Sequence, residues 1–318
     1  YQYGKEFRSS MEPTWVALTR ELVSGENVHI IVYNSKEEDR VKELIQNENI
    51  PLDKIDFYRF KTDDYWVRDN GPIFVRDQNG QLVISDWGFN GWGRKAKFRK
   101  CDKIPALIGQ KQGRRVINLN NHIINEGGSI ESDGHGTMLA CKSSILNSNR
   151  NPGMKQVHAE KYFEKYYGFT NFIWLDGQAG LDITDQHIDG FARFADSATI
   201  VTMEREDLKY YDVKETDIDI LYAAKNTKGQ PFKLVKIPLT KDDIKSDGGQ
   251  NLGRASYCNF YIANEKVLVP VYSDPNDTIA LNIIQTLYPK RKVVGIDCRN
   301  VYEFGGMIHC ITQQQPAD

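Results

Sequence analysis

Apolar and polar positions follow two periods along this chain, and the changes of period mark its elements. Residues 12–23 (EPTWVALTRELV) carry apolar groups at helical spacing and stop at Ser24-Gly25. Val28 to Val32 is a short apolar run of strand composition. Ser35 and Glu38 form an S-x-x-E capping box ahead of a helix whose stripe is Val41, Leu44 and Ile45. Residues 54–60 (KIDFYRF) alternate as a strand, and further strands are predicted at 73–75, 82–87, 172–175, 191–194, 256–262 and 293–296. A helix is expected over 158–167, closed by Gly168. Another opens at Asp274-Pro275, with Ile279, Ile283, Ile284 and Leu287 on one side and Pro289 as its stop. Residues 204–230 are charged and lack a clear period, which reads as an insertion or an exposed helical excursion.

Polar or glycine-rich knots interrupt this pattern near 66–71, 126–129, 187–190, 256–259 and 305–310, each beside an apolar strand and with helices between. Asp247-Gly248-Gly249 adds a bend ahead of the 256–262 run. The knots do not match closely enough in sequence to prove a repeat. Five similar strand–helix units around a shared centre is the economical α/β reading, in one catalytic domain over 1–318. A doubly wound sheet is its rival. The chain has neither G-x-G-x-x-G nor a P-loop, so a nucleotide fold has no direct support.

Charge narrows the partners. A formal charge of −2 and a pI near 6.4 give no basic face for nucleic acid or an anionic membrane. No apolar run nears the roughly 20 residues that span a bilayer. The five cysteines (Cys101, Cys141, Cys258, Cys298, Cys310) are widely spaced with no C-x-x-C, which argues against a zinc knuckle. The sequence opens at Tyr1, so a removed leader or trimmed N-terminal piece is consistent with it, and the expected location is cytoplasmic with export as the alternative. Asn276-Asp277-Thr278 fits a glycosylation acceptor, a weak signal. A homo-oligomer is left open.

The knots carry the chemistry. Cys310 follows Gly305-Gly306 and reads as a nucleophile at a strand end, although a lone cysteine is more often a buried thiol. Asp69, in W-x-R-D-N-G-P, by itself reads as a turn residue. His187 and Asp189 form H-x-D, which on a strand would face one side; the same pair suits a metal, but no second histidine cluster completes a ligand set. Trp66 is either core or a ligand wall, and Asn259 either a backbone partner or a binding group.

Together these groups suit attack on a guanidinium carbon. A guanidinium is planar and permanently charged, and two carboxylates, Asp69 and Asp189, can clamp its edges bidentately. A thiolate then attacks the exposed carbon while a histidine manages the proton. Nearby carboxylates should raise the Cys310 thiol above its ordinary value of about 8.5, and a bound cation should reverse that.

With these motifs in view the chain resembles the agmatine deiminase / Porphyromonas-type peptidylarginine deiminase family of the guanidino-group-modifying superfamily. The matching stretches are W-V-R-D-N-G-P (66–72), N-E-G-G-S-I (125–130), N-R-N-P (149–152), T-D-x-H-I-D (184–189), S-Y-x-N-F-Y-I (256–262) and G-G-M-I-H-C-I-T-Q-Q (305–314). The resemblance implies a five-bladed, pseudo-symmetric α/β-propeller with a central active site. It implies Cys310 as nucleophile, His187 as general acid/base, Asp69 and Asp189 as guanidinium clamps, and Trp66 and Asn259 as groups that shape and bind. It implies no metal and no organic cofactor. The partner is a small guanidinium compound or an arginine-containing peptide.

The chain departs from the family pattern at Gln186, where glycine is usual, at Ile183, where an acid is common, and at Trp92-Gly93-Arg94-Lys95-Ala96, where W-G-G-K-Y is typical. The usual W-E-P-H type opening is missing, so an altered first blade is expected. Arg94 and Lys95 are either solvated charges or readers of a substrate carboxylate, which arginine has and agmatine lacks.

The leading activity is therefore hydrolytic deimination of agmatine to N-carbamoylputrescine, with free or peptidyl arginine to citrulline second. An amidinotransferase, a silent guanidinium-binding propeller and a metal hydrolase built on H-x-D are the other readings.

Overall fold

The computed structural model describes residues 3, 6–246 and 249–317; Asp247 and Gly248 of the predicted bend lie outside the described residues. Among the described residues fourteen strands group into five small sheets. In chain order, β1 (Val28–Val32) pairs in parallel with β2 (Ile55–Arg59). The next four sheets share one pattern, an antiparallel pair followed by a parallel third strand. They are β3 (Ile73–Arg76), β4 (Leu82–Asp86) and β5 (Val116–Asn118); β6 (Ile130–Ser132), β7 (Thr137–Cys141) and β8 (Asn171–Leu175); β9 (Arg193–Asp196), β10 (Thr199–Thr202) and β11 (Lys233–Lys236); and β12 (Tyr261–Ile262), β13 (Lys266–Val271) and β14 (Lys292–Asp297).

Every parallel step is bridged by helix, as a parallel connection requires: Ser35–Asn47, Ile104–Gln112, Gln156–Tyr167, the pair Arg205–Tyr210 and Glu215–Tyr222, and Asp277–Leu287. The repeat that the sequences alone left unproven is thus a repeat of topology. The middle strands β4, β7 and β10 are buried throughout, which fits the apolar stretches Leu82–Ile84, Met138–Cys141 and Ile200–Val201 within them.

The chain divides into two compact units. One comprises residues 1–61 and 237–309, with the first and last sheets and a core that includes Val16, Val23, Ile45, Ile50 and Ile55. The other comprises residues 62–236 and 310–318, with the three middle sheets and a core that includes Trp87, Met138, Phe163 and Trp174.

Several local expectations need correction. The second helix is capped by Asn34, whose side chain accepts from Glu37 N–H at 2.9 Å, while Glu38 turns to Lys42 and Arg59. An asparagine one residue earlier outcompetes the Ser35 box because the helix begins at Ser35 itself. The first helix runs from Phe7 through Pro13 to Leu22. The charged 204–230 segment holds two short helices. Of 256–262, only Tyr261–Ile262 is strand, since the polar half makes turn bonds such as Cys258 N–H to Ser256 Oγ, 3.0 Å. In the helix at 277–287, Ala280 and Ile284 are buried while Ile279 is exposed.

Candidate active site

In the middle three sheets each first strand is preceded by a knot, and the knots converge. Asp69 sits in a single helical turn, Val67–Asn70, begun by buried Trp66, whose carbonyl accepts from Asp69 N–H at 3.1 Å and from Asn70 Nδ2 at 2.9 Å. Glu126 to Ser129 form a tight 3-10 turn before β6. His187 and Asp189 lie on a turn before β9 rather than on a strand, so their common direction comes from the turn and not from strand alternation.

Gly128 stands at the meeting point. A side chain there would put its first carbon 2.7 Å from His187 Nδ1, 2.9 Å from Asp69 Oδ1 and 3.1 Å from Asp189 Oδ2. Only glycine leaves that space open. Gly127 is equally constrained, since its first side-chain carbon would fall 2.2 Å from the Arg68 carbonyl oxygen. The Gly128 N–H also donates to Asp69 Oδ1 at 3.0 Å.

The cluster is electrostatically unbalanced. Burial pushes Asp69 above the ordinary carboxylate range against the pull of His187. Burial also lifts Asp189 to about 7, with His187 opposing and Asp69 adding to the rise. Burial works against the His187 proton, yet Asp69, Glu126 and Asp189 outweigh it and raise the imidazole to about 9. His187 lies 3.6 Å from Asp69 through Nδ1 and 2.9 Å from Glu126 through Nε2.

Glu126 is the residue that sequence reasoning missed. The N-E-G-G-S-I stretch reads as a bend, and its acid carries no signal of its own until the histidine 61 positions away is placed against it. Its other neighbour is Arg150 of N-R-N-P, at 2.8 Å, which is wholly buried and also bonds Asp185 and the Thr184 carbonyl. Burial pushes Glu126 up, but His187 and Arg150 prevail and hold it below the usual range. Lys95 Nζ meets Asp185 at 2.8 Å and the carbonyls of Asp182 and Ile183 at 3.2 and 3.1 Å. Its charge is already engaged within the fold.

Gln186 adopts φ 70°, a left-handed backbone that glycine enters freely and glutamine only with strain; Arg94 does the same at φ 66°. Both departures from the family pattern therefore keep a glycine-like backbone.

Cys310 sits in a 3-10 turn, His309–Ile311, rather than at a strand end, because its chain segment ends in turns instead of pairing. It is half-buried, whereas Cys101, Cys141, Cys258 and Cys298 are buried. Burial raises Cys101 to about 11 and drives Cys141 and Cys298 well above the ordinary thiol value, which leaves them inert. Asn259 is fully buried, and its side-chain oxygen accepts from the N–H of His309 at 3.0 Å, fixing the residue that precedes Cys310.

This repeated fold defines the class of guanidino-group-modifying α/β-propeller enzymes. The chain belongs to the Porphyromonas-type peptidyl-arginine deiminase family, whose model matches residues 3–316. It is 35% identical to a Streptomyces coelicolor protein named "Putative agmatine deiminase", over 82% of this chain and 78% of that one. It superposes on a Porphyromonas gingivalis crystal structure titled "Putative Arginine Deiminase" with TM-score 0.85 and 31% identity, covering 96% of this chain and 89% of that one. The Enterococcus faecalis agmatine deiminase gives TM-score 0.87 and 26% identity, covering 97% and 88%. Among the described residues no helix is long and apolar enough to cross a membrane.

Proposed function

We propose that this chain hydrolyses the guanidinium group of agmatine, giving N-carbamoylputrescine and ammonia. The observation that carries the reading is the convergence of His187 Nδ1, Asp69 Oδ1 and Asp189 Oδ2 on Gly128, all within 3.1 Å of where a side-chain carbon there would stand, with both aspartates buried and held above their ordinary range. Such acids call for a permanent cation, and a guanidinium meets both with its planar donors. The agmatine deiminase names of relatives support the choice of substrate.

In this mechanism the Cys310 thiolate attacks the guanidinium carbon and forms a C–S bond. The carbon–nitrogen bond to one terminal amino group then breaks, and His187 supplies the proton that lets it leave as ammonia. The same imidazole next removes a proton from water, whose oxygen attacks the adduct. Breaking the C–S bond returns the thiolate and leaves a ureido product. Asp69 and Asp189 hold the guanidinium, Glu126 keeps His187 cationic, Trp66 lines the approach, and Asn259 steadies the turn before Cys310.

Arginine, free or peptidyl, is the competing substrate. The observation favouring it is Arg94, exposed on the turn that carries Trp92. The deciding assay incubates the protein with agmatine, arginine and an arginine-ended peptide and measures ammonia and ureido product, with Cys310→Ala beside it. Agmatine should be turned over fastest and the variant should be silent. Product from the variant at the native rate would remove Cys310 from the mechanism, and an arginine preference abolished by Arg94→Ala would replace agmatine as substrate.

A further inference from the structure

The turn at 90–95 has a backbone that its sequence should resist. Gly91, Trp92, Gly93 and Arg94 all have positive φ, at 68°, 55°, 83° and 66°. For a bulky tryptophan this conformation is costly and persists only where surrounding contacts over-determine it. The contacts are present. A side chain at Gly91 would strike the Ala96 carbonyl oxygen at 2.4 Å, and one at Gly93 would strike Asn149 Cγ at 2.6 Å. Asn90 accepts from Gly93 N–H at 2.8 Å and donates to the Asn149 carbonyl at 2.9 Å. Phe89 packs edge-on against the indole, centroids 5.1 Å apart.

All of this delivers one hydrogen bond. The buried Trp92 Nε1–H donates to Asp69 Oδ2 at 2.9 Å. The other oxygen, Oδ1, takes Gly128 N–H at 3.0 Å. Two donors from separate segments, one on each oxygen, fix the plane of the carboxylate and still leave each oxygen a second lone pair. We propose that Trp92 is a positioning residue whose indole N–H sets the Asp69 carboxylate in the plane that receives the guanidinium. The proposal rests on the deiminase reading of the site and adds to it a residue that does not itself react.

The donor also matters for charge. Burial and Glu126 push Asp69 toward its neutral form, while His187, Trp92 and Gly128 favour the ionised one; Asp189 is the remaining acid beside it. Removing the indole N–H therefore lifts the pH at which Asp69 ionises, and a neutral Asp69 cannot pair with a cation.

The test is Trp92→Phe, which keeps an aromatic ring and loses the donor, with Phe89→Leu as a control that loosens the same packing and leaves the hydrogen bond. Steady-state ammonia release from agmatine is measured from pH 6 to 9.5, together with agmatine binding by calorimetry in a Cys310→Ser background. Trp92→Phe should lower kcat/KM at neutral pH by about 10- to 100-fold, the range for a hydrogen bond to a charged group. It should move the acidic limb to higher pH and weaken binding in parallel. Phe89→Leu should leave the limb in place. If Trp92→Phe does not fold, Asn90→Ala, which frees the turn but retains the indole, should give a smaller shift in the same direction. An unmoved acidic limb in a folded Trp92→Phe protein, or the same shift in Phe89→Leu, would overturn the proposal while leaving the deiminase reading intact. Absence of both turnover and binding in the unsubstituted protein would overturn the two together.

Discussion

On one side of Glu126 lies Arg150, on the other His187, and the two surroundings are built differently. The Arg150 side is balanced. One guanidinium and Lys95 answer Glu126 and Asp185, with Asn149 and the Gly180 N–H completing the set, and Asp185 is held below the usual carboxylate range although burial opposes it. The His187 side carries Asp69, Asp189 and Glu126 around one imidazole, and both aspartates are pushed up. Arg193 pulls Asp189 down but does not offset its burial. The balanced cluster holds the knots together. On the proposed reading a substrate cation completes the unbalanced one, and its buried acids cost stability, as is typical of functional sites.

The largest effect that would break this contrast is on the balanced side. Arg150→Met should destabilise the protein by about 3–5 kcal/mol, because it strands Glu126 and Asp185 as buried charges. Urea denaturation measures this, and a loss below about 1 kcal/mol would mean that Arg150 does not hold the cluster. On the unbalanced side the signs should part. Asp189→Asn should reduce kcat/KM by about 100- to 1000-fold, as for lost preorganised charge stabilisation, yet keep or raise the thermal midpoint at pH 8. A carboxylate whose folded pKa lies above its unfolded value costs stability that builds as pH rises from about 4 to the folded value of about 7 and is complete above it, so its removal relieves the fold at pH 8.

Glu126→Gln sharpens the boundary between the two clusters. His187 titrates near 9 when folded and near 6.5 when unfolded, so its stabilising contribution is complete below 6.5 and is lost as pH rises through 9. With a neutral partner the contribution should be smaller and its loss complete at lower pH, seen as a downward shift of the imidazole titration by NMR and a fall in kcat/KM of about tenfold. The smallest effect is expected from Lys95→Ala, about 0.5–1 kcal/mol of stability with no change in the preference between agmatine and arginine, since its amine is engaged with Asp185 and two carbonyls. A changed preference would return Lys95 to the role of a carboxylate reader.

Much of this was legible in the chain. The five knots fall where the apolar period breaks, and Asp69, His187 and Asp189 were visible as polar groups next to strands. What stayed hidden depends on partners far away in sequence. Glu126 gains meaning only once His187 and Arg150 arrive against it. Trp92 reads as loop aromatic until Gly91 and Gly93 are seen to allow a left-handed turn. His187 and Asp189 suggested a strand because H-x-D fits alternation, whereas Thr184 Oγ1, accepting from His187 N–H at 3.2 Å, belongs to a turn. Asn34 displaced the Ser35 box because both residues cap well and position decided between them.

The most direct test of the central claim, that the acids receive a guanidinium, is calorimetry of agmatine binding to Cys310→Ser protein from pH 8 down to 6, repeated in buffers of different ionisation enthalpy. With Asp189 pushed up to about 7, much of it is protonated below that pH, and an arriving cation should expel that proton. Net proton release that grows as pH falls from 8 toward 6 is the predicted result. Binding with no proton release, or with proton uptake, would contradict it.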